Sequence, residues 1–293
     1  MPPLSPLINT GVPRNRPRLT RTPSPAGVPV VVHDERGDSR EIQLTGERPL
    51  ALIVDHHEIV TLMTRGAEPE LLALGYLLNQ AMINTIDDIV AIETDWDKDA
   101  VAITTRFGIA DLEARLARRI VTSGCGQGTV FGQLMSEFED LRVAAMPLRQ
   151  SLIYALLGVV GHINQTYRAS GSVHSCALCH GSEPVFFVED VGRHNAADAI
   201  AGHMAYEGIN GADKLFYTTG RLTSEMVIKV ARMGVPVLIS RNGATAMGHE
   251  LAVITGMTLI GRAKGHQFIV YNGYQNLIYD APARPHVQRT RRD

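Results

Sequence analysis

KLFYTTGRLTSEMVIKVARMGVPVLISRNGATAMGHELAVITGMTLIGR, residues 214–262, alternates short apolar runs with longer amphipathic stretches. The runs KLFYTTG, VPVLISR and MTLIGR predict strands, and the two stretches between them predict helices. Strands separated by helices are typical of a parallel or mostly parallel α/β sheet. This part of the sequence therefore decides the fold class.

The flanking residues extend the same pattern. VFFVED (185–190) predicts a preceding strand, and HNAADAIAGHMAYEG (194–208) predicts the helix after it. QFIVYNG (267–273) follows its predecessor too closely for a helical crossover, so we expect an antiparallel hairpin partner.

The first half of the chain has a different pattern of apolar residues. Alternating Leu52, Val54 and Ile59 predict a strand pair that turns near 55–57, and PELLALGYLLNQAMI (69–83) has the spacing of a buried helix. VAIETDW and AVAITTRF predict a hairpin, DLEARLARRI a short helix, and residues 147–167 a further helix.

We therefore predict an α/β protein in four segments. Residues 1–27, rich in proline and arginine, are expected to be a disordered arm. Residues 28–145 form a smaller N-terminal α+β part, residues 146–275 an α/β part with a mixed, largely parallel sheet, and residues 276–293 a basic tail.

Composition limits the function classes. The net charge is −2, but residues 1–33 carry four arginines and residues 281–293 carry four arginines and one aspartate, which leaves −9 on residues 34–280. A body that acidic is a poor binder of nucleic acid. No apolar run reaches the roughly 18 residues of a membrane helix, and no secretory leader is visible, so we expect a cytoplasmic protein that does not enter a membrane.

Three loops between predicted strands and helices carry polar and charged residues. Ligands of open α/β sheets bind where such loops feed helix N-termini, and these loops suit an anionic ligand with phosphates. Ordinary helix capping explains each loop equally well, and none contains a phosphate-binding glycine fingerprint. The residues are Glu189, Asp190, Arg193, His194, Gly220, Arg221, Thr223, Ser224, Arg241, Asn242, Gly243 and Thr245.

The three cysteines lie in two unusual stretches. TSGCGQGTV (122–130) surrounds Cys125 with glycines and no charge, which indicates either a simple turn or a loop that presents a thiolate. In SVHSCALCHG (172–181), the ligand types at His174, Cys176, Cys179 and His180 allow zinc binding or a redox pair, whereas a buried apolar segment needs neither.

Several stretches together resemble the formate dehydrogenase accessory family, FdhD. They lie in the family's order and spacing from about residue 28 to about residue 275 and leave out only the basic tails. The stretches are ALIVDHHEIVTLMTRGAEPELLALGYLL, SGCG, GSVHSCAL, EDVGRHNAADAI, GRLTSEMVIKVARMGVPVLIS, GHELAVITGMTLIGRAKG and FIVY.

The resemblance implies a cytoplasmic sulfurtransferase that carries sulfur as a persulfide on Cys125. The donor is a cysteine desulfurase, and the acceptor is the molybdenum cofactor in its bis(molybdopterin guanine dinucleotide) form, before it enters formate dehydrogenase. The resemblance also implies a homodimer and a C-terminal half like that of cytidine deaminases. Its cofactor-binding stretch falls on Arg262, Ala263, Lys264, Gly265, His266 and Gln267. We predict no resident metal.

One departure from the family pattern leaves an alternative open. Many members have a second loop cysteine where this chain has Gly128. If that second thiol relays the persulfide, this protein must do without it or use Cys176 or Cys179, and we expect these two to compensate. The alternative function is a non-catalytic chaperone that binds the molybdenum cofactor for formate dehydrogenase and moves no sulfur.

Overall fold

A computed structural model describes residues 15–24, 27–109, 112, 120–121, 128–129 and 141–282. The strands of the first half are β1 (Arg18–Leu19), β2 (Val28–His33), β3 (Ser39–Leu44), β4 (Arg48–Val54), β5 (His57–Thr64), β6 (Ile89–Asp95), β7 (Ala100–Thr105), β8 (Ile120–Val121) and β9 (Gly128–Thr129). Those of the second half are β10 (Leu148–Arg149), β11 (His174–His180), β12 (Glu183–Asp190), β13 (Leu215–Thr218), β14 (Val237–Ser240), β15 (Thr258–Lys264), β16 (Gln267–Asn272) and β17 (Leu277–Ile278).

Six α-helices lie within the described residues. They are α1 (Pro69–Asn79), α2 (Gln150–Ile163), α3 (Gln165–Ser170), α4 (Arg193–Glu207), α5 (Ser224–Arg232) and α6 (Ala246–Thr255). The helices predicted for the second half are confirmed, with the predicted 147–167 helix divided into α2 and α3 at Asn164. Nearly all of the predicted DLEARLARRI helix lies outside the described residues. No helix in the described ranges is long and apolar enough to cross a membrane.

The second half is built on a six-stranded sheet in the order β12-β11-β13-β14-β15-β16. The four predicted strands β12, β13, β14 and β15 all run in the same direction, and β16 is the predicted antiparallel hairpin partner of β15. The α/β class is therefore confirmed.

The largely parallel pairing was wrong, because β11 lies antiparallel between β12 and β13. Only two of the five neighbouring pairs in this sheet, β13–β14 and β14–β15, are parallel. The physical reason is the short β11–β12 connection: two residues at 181–182 can close an antiparallel hairpin but cannot return a strand to a parallel position. The likeness to cytidine deaminases stays a prediction.

The first half contains a five-stranded sheet in the order β1-β6-β7-β4-β5. The predicted β4–β5 pair and β6–β7 hairpin are both antiparallel neighbours in it. The β4–β5 turn holds Asp55 and His56 at positive φ. The Asp55 carboxylate accepts hydrogen bonds from the backbone and hydroxyl of Thr105, which fixes this turn against the end of β7.

Helices α1 and α4 join the two halves at very close range. A Cβ added to Gly75 of α1 would lie 1.7 Å from the carbonyl oxygen of Asp198, and one added to Gly202 of α4 would lie 2.0 Å from that of Leu71. The two backbones therefore touch, which requires residues without side chains at the crossing. One continuous apolar cluster includes residues of both sheets and of these two helices.

Residues 15–24 lie against the five-stranded sheet, although their composition predicts disorder. β1 pairs with β6 in parallel, and the Glu70 carboxylate accepts hydrogen bonds from the Thr20 hydroxyl and from the Thr22 backbone N–H. The Trp96 indole N–H donates to the Thr22 carbonyl at 2.6 Å. Side-chain partners elsewhere in the chain therefore order this segment, which we call the docked arm.

Candidate functional site

One edge of the six-stranded sheet collects the polar loops that the sequence singles out. Because β12 to β15 run in the same direction, their C-terminal ends meet there, and the antiparallel β11 begins there. Helices α4, α5 and α6 start from the loops after β12, β13 and β14. The edge therefore presents three helix N-termini, whose partial positive charge favours anions.

Backbone hydrogen bonds hold two of these loops together. Leu222 and Ala244 form a parallel bridge, in which the Leu222 N–H donates to Gly243 at 3.0 Å and the Thr245 N–H donates to Leu222 at 3.1 Å. Asn242 donates from its side chain to the Thr219 carbonyl at 2.6 Å. The loops after β13 and β14 thus form one preorganised surface.

The acidic residues at the end of β12 have structural partners. Asp190 accepts hydrogen bonds from the side chains of Thr64 and Asn195 and from the backbone N–H groups of Arg65 and Gly192. Burial raises the pKa of Asp190, and these hydrogen bonds act against that rise. Asp190 therefore joins the end of β5 to the start of α4 and has little capacity left for a ligand.

His194 is also a poor candidate for a proton donor in this site. Its Nδ1 lies 3.3 Å from Glu225 Oε1, yet burial, followed by the charge of Lys229, holds the pKa of His194 well below its usual value. The contact therefore joins a neutral imidazole to a carboxylate. Lys229 is itself bound to the buried Asp198 at 2.6 Å, so this network belongs to the core between α4 and α5.

His174, at the start of β11, is a site residue that the sequence indicated only as a metal ligand. Burial lowers its pKa, and the cationic Arg193 and Arg221 lower it further. Its Nδ1 is buried without a hydrogen-bond partner among the described residues. An anion beside His174 would be favoured by the charges of both arginines and could accept a hydrogen bond from the imidazole Nδ1–H.

The absence of a side chain at Gly220 leaves the space that the Arg193 side chain occupies. A Cβ at Gly220 would lie 2.7 Å from Arg193 Cδ, so the arginine side chain runs directly over the glycine. Arg221 and Arg241 are exposed at the same edge, and the Arg241 guanidinium lies 5.5 Å from the centroid of the Tyr167 ring. The edge is thus cationic on a protein whose body is acidic.

The predicted cofactor-binding stretch forms the end of β15 and the turn into β16. The Arg262 N–H donates to the Asn242 carbonyl at 2.9 Å, which places this stretch beside the loop after β14. Arg262 has a positive φ of 53° at a shift in strand register, and Gly265 has a φ of 59° in the turn.

The six residues of this stretch differ in exposure. Ala263 is buried, whereas the other five are exposed. The His266 ring stacks on Tyr154 of α2 with 4.5 Å between centroids. Arg262 and Lys264 therefore add two cations next to the polar edge, while Ala263 and His266 fix the hairpin to the core and to α2.

Cys125 lies outside the described residues. In the chain it falls between β8 and β9, which pair with each other in an antiparallel sense. Gly128, where many family members have a second cysteine, is the first residue of β9. The role of Cys125 stays a prediction.

The structure contradicts the expected compensation by Cys176 and Cys179. The two side chains are fully buried on opposite faces of the sheet, because Cys176 packs in the cluster with α4 and Cys179 packs in the cluster with α2. Burial raises the pKa of each thiol to about 12. They cannot bind one zinc ion together or form a thiolate relay, and the described residues contain no metal-binding group of histidine, cysteine or acidic side chains.

Comparisons with known proteins agree on one family. The model of the FdhD/NarQ family matches residues 45–278. The sulfur carrier protein FdhD of Listeria monocytogenes is 26% identical over 249 residues, which cover 83% of this chain and 95% of the relative. The protein of the same name from Methanothermobacter thermautotrophicus is 31% identical over 211 residues, covering 70% and 79% of the two chains.

A solved structure has the same fold. The crystal structure of a protein assigned as a formate dehydrogenase accessory protein, from Desulfotalea psychrophila, matches with a TM-score of 0.70 and 23% identity. The match covers 87% of this chain and all of the other.

Proposed function

The chain belongs to the FdhD/NarQ family, and from this premise we propose that it is a sulfur carrier in the maturation of formate dehydrogenase. The observation that carries the proposal is the match over most of the chain to relatives named sulfur carrier protein FdhD. Cys125 is the proposed carrier, since the other two cysteines are buried as thiols.

The proposed loading step is a thiol exchange. The Cys125 thiolate attacks the outer sulfur of a persulfide on a cysteine desulfurase, the sulfur–sulfur bond of the donor breaks, and the donor cysteine leaves as a thiolate. Cys125 then holds the outer sulfur as its own persulfide. Delivery of that sulfur to a reduced molybdenum cofactor would break the sulfur–sulfur bond of the persulfide, return Cys125 as a thiolate and take two electrons from the metal; the cofactor is the substrate and not a resident group.

The cationic edge supports a guanine dinucleotide as the bound part of that substrate. Its pyrophosphate would meet Arg262 and Lys264 of the hairpin and Arg221 of the loop after β13, beside the helix N-termini. The imidazole of His174, with its unsatisfied Nδ1, lies near the same arginines. We propose that the protein works as a homodimer and that the loaded cofactor is received by formate dehydrogenase.

Sulfur mapping tests the carrier step. The protein is incubated with a cysteine desulfurase and cysteine, and mass spectrometry locates added sulfur on Cys125, Cys176 and Cys179. We expect sulfur on Cys125 alone and none on a Cys125→Ser variant, whereas a Cys176→Ala, Cys179→Ala variant should load normally. Sulfur found only in β11 would contradict the proposal.

Nucleotide binding tests the substrate part. GDP carries the guanine and the diphosphate of the cofactor, so its affinity is measured by calorimetry for the parent protein and for Arg262→Ala and Lys264→Ala. Loss of one charged hydrogen bond should weaken binding about tenfold. Arg36→Ala, an exposed arginine in the β2–β3 turn, is the matched control.

The chaperone alternative rests on Gly128, which replaces the second loop cysteine. A binding chaperone would keep its GDP affinity and would still mature formate dehydrogenase as a Cys125→Ser variant. A sulfur carrier would keep the affinity and lose the maturation.

A further inference from the structure

A cleft lies away from the cationic edge, at the opposite end of α4. It has a volume of about 340 Å³ and is lined by the docked arm, the start of α1, Phe186 of β12 and the last turns of α4. Helix α4 begins at the candidate site, and the residues of α4 that line this cleft are His203, Tyr206 and Glu207. At 1.5 Å per residue, the two sites are separated by roughly 15 Å of helix.

Apart from Arg21, the charged groups that line this cleft are hydrogen-bond acceptors. Carboxylates come from Glu68, Glu70 and Glu207. The His203 ring stacks on Phe186 with 3.8 Å between centroids and 7° between planes, and burial lowers the pKa of His203, which keeps one ring nitrogen as an acceptor. A ligand that fits must therefore supply donors and a flat surface.

The charges in the cleft favour a cation. Glu207 is paired with Arg16 at 3.1 Å, whereas the buried Glu70 is held by a hydroxyl and a backbone N–H of the arm. Burial, followed by repulsion from Glu70, raises the pKa of Glu68, although the nearby Arg21 acts in the opposite direction. Another positive group between these carboxylates would relieve that repulsion.

The chain's own arginines already bind at this surface, and Arg21 is one of the residues that line the cleft. The Arg16 guanidinium lies 5.2 Å from the centroid of the Tyr206 ring, and that of Arg21 lies 5.9 Å from it. Arg21 adopts a positive φ of 55°, unusual for a residue with a side chain. This surface therefore holds guanidinium groups by ring stacking and by ion pairing.

We propose that the cleft between Glu68, Glu70 and the stacked His203 is a binding site for a guanidinium group. The group is that of a small molecule or of an arginine side chain on a partner protein, since both present the same planar cation. Guanidinium fits better than ammonium, because it stacks on the aromatic walls while it donates two parallel hydrogen bonds to a carboxylate.

The test uses the full chain and three small probes. Arginine amide, lysine amide and norleucine amide share the same α-amino group and differ in the side chain, which is uncharged in norleucine; each is titrated while the His203 ring resonances are followed by NMR. We expect saturable binding of arginine amide, weaker binding of lysine amide and none of norleucine amide. Glu68→Gln should weaken the binding of arginine amide about tenfold.

Controls separate recognition from folding. Glu250→Gln changes an exposed carboxylate on α6 and should leave binding unchanged. Tyr206→Leu is a second cleft variant that should also weaken binding, and circular dichroism melting must show that each variant is folded.

An arginine-containing peptide distinguishes the two sources. Binding of the peptide but not of arginine amide, when it is lost in Glu68→Gln, supports the site with a protein as its partner. Equal binding of all three amides, no saturation by any probe, or an unchanged affinity in folded Glu68→Gln and Tyr206→Leu overturns the proposal.

Discussion

The sulfur atoms of β11 illustrate how position determines the chemistry of a residue. Cys176 Sγ lies 3.3 Å from the Thr218 hydroxyl and is fully buried, so the cost of placing a negative charge there is high. A thiolate is the form that attacks a persulfide. The same residue type is therefore structural in β11, and a carrier role requires a different environment.

Stability should fall at alkaline pH because of these thiols. Folding raises the pKa of Cys176 from 9.0 to about 12, so above pH 9 the unfolded chain releases a proton that the folded chain keeps. The stabilisation is complete below pH 9 and is lost as the pH rises through 12; it should shrink by about 2 kcal/mol near pH 10.5. Urea unfolding across this range measures the slope.

Cys176→Ala is the variant that isolates the effect. At neutral pH the substitution should lower the free energy of unfolding by about 1 kcal/mol, because packing around the thiol is lost. The free energy of unfolding of the variant should then depend less steeply on pH in the alkaline range. Cys179 and Tyr217, whose pKa values are also raised to about 12, continue to contribute in the variant. An unchanged slope in Cys176→Ala would show that its thiol ionises alike in both states.

His174 should report on the charge of the candidate site. Arg193 and Arg221 both disfavour its imidazolium form, with burial as the larger cause. In Arg221→Ala one of these cations is gone, so the pKa of His174 should rise partway toward its ordinary value, as followed by NMR titration. Arg36→Ala should leave it unchanged. A fall in Arg221→Ala would mean that the arginine does not act on His174 through its charge.

At the scale of elements, the α1–α4 crossing carries the strictest requirement. The two helices meet through Gly75 and Gly202, and Asp198 at the same crossing accepts a hydrogen bond from Asn79 at 2.7 Å while it pairs with Lys229. Removing one member of such a buried pair leaves the other charge uncompensated. The junction therefore depends on close backbone contact and on complete polar pairing.

Gly75→Ala and Gly202→Ala should each destabilise the protein by about 3 kcal/mol, the upper end of overpacking effects, because the new methyl group meets a backbone oxygen. The control is Gly158→Ala in α2, where an added Cβ has no heavy atom within 4 Å. That change should stabilise by about 0.5 kcal/mol through helix propensity. Thermal melting compares the three variants. Equal melting temperatures would mean that the two helices move apart to accept the methyl group without loss of stability.

At the scale of the whole molecule, the two sheets do not form separate cores. The apolar cluster that includes Leu52 and Ile92 of the five-stranded sheet also includes Leu178 and Phe216 of the six-stranded one. The segment boundaries predicted from sequence remain a prediction, but a continuous core favours a single cooperative unfolding transition.

The docked arm should contribute measurably to this shared stability. A chain that begins at Gly27 loses the arm's hydrogen bonds to Glu70 and Trp96. Its free energy of unfolding should therefore be about 2 kcal/mol lower than that of the full chain. Glu70→Gln should be costly in the full chain and nearly neutral in the shortened one, as urea unfolding of all four proteins would measure. Equal costs in both would show that Glu70 does not act through the arm.

The sequence predicts the α/β class because its strands and helices alternate with clear periodicity. It does not predict the position of β11, since CALC is apolar on both sheet faces and carries no alternation, only ligand-type residues that suggest metal chemistry. The docked arm was missed because its partners, Glu70 and Trp96, lie more than 40 residues away. The roles of Arg262 and Lys264 were predicted from the resemblance to the family. The position of His174 in the candidate site could not be predicted, because it depends on the order of the strands in the sheet.

The contact between Trp96 and the docked arm gives the protein its own optical reporter. Trp96 is the single tryptophan of the chain, its indole N–H is bound to Thr22, and the Arg48 guanidinium lies 4.9 Å from its ring centroid. Indole emission depends on hydrogen bonding and on access to water. Release of the arm would therefore change the fluorescence of the unlabelled protein, and stopped-flow mixing with a partner would time that release directly.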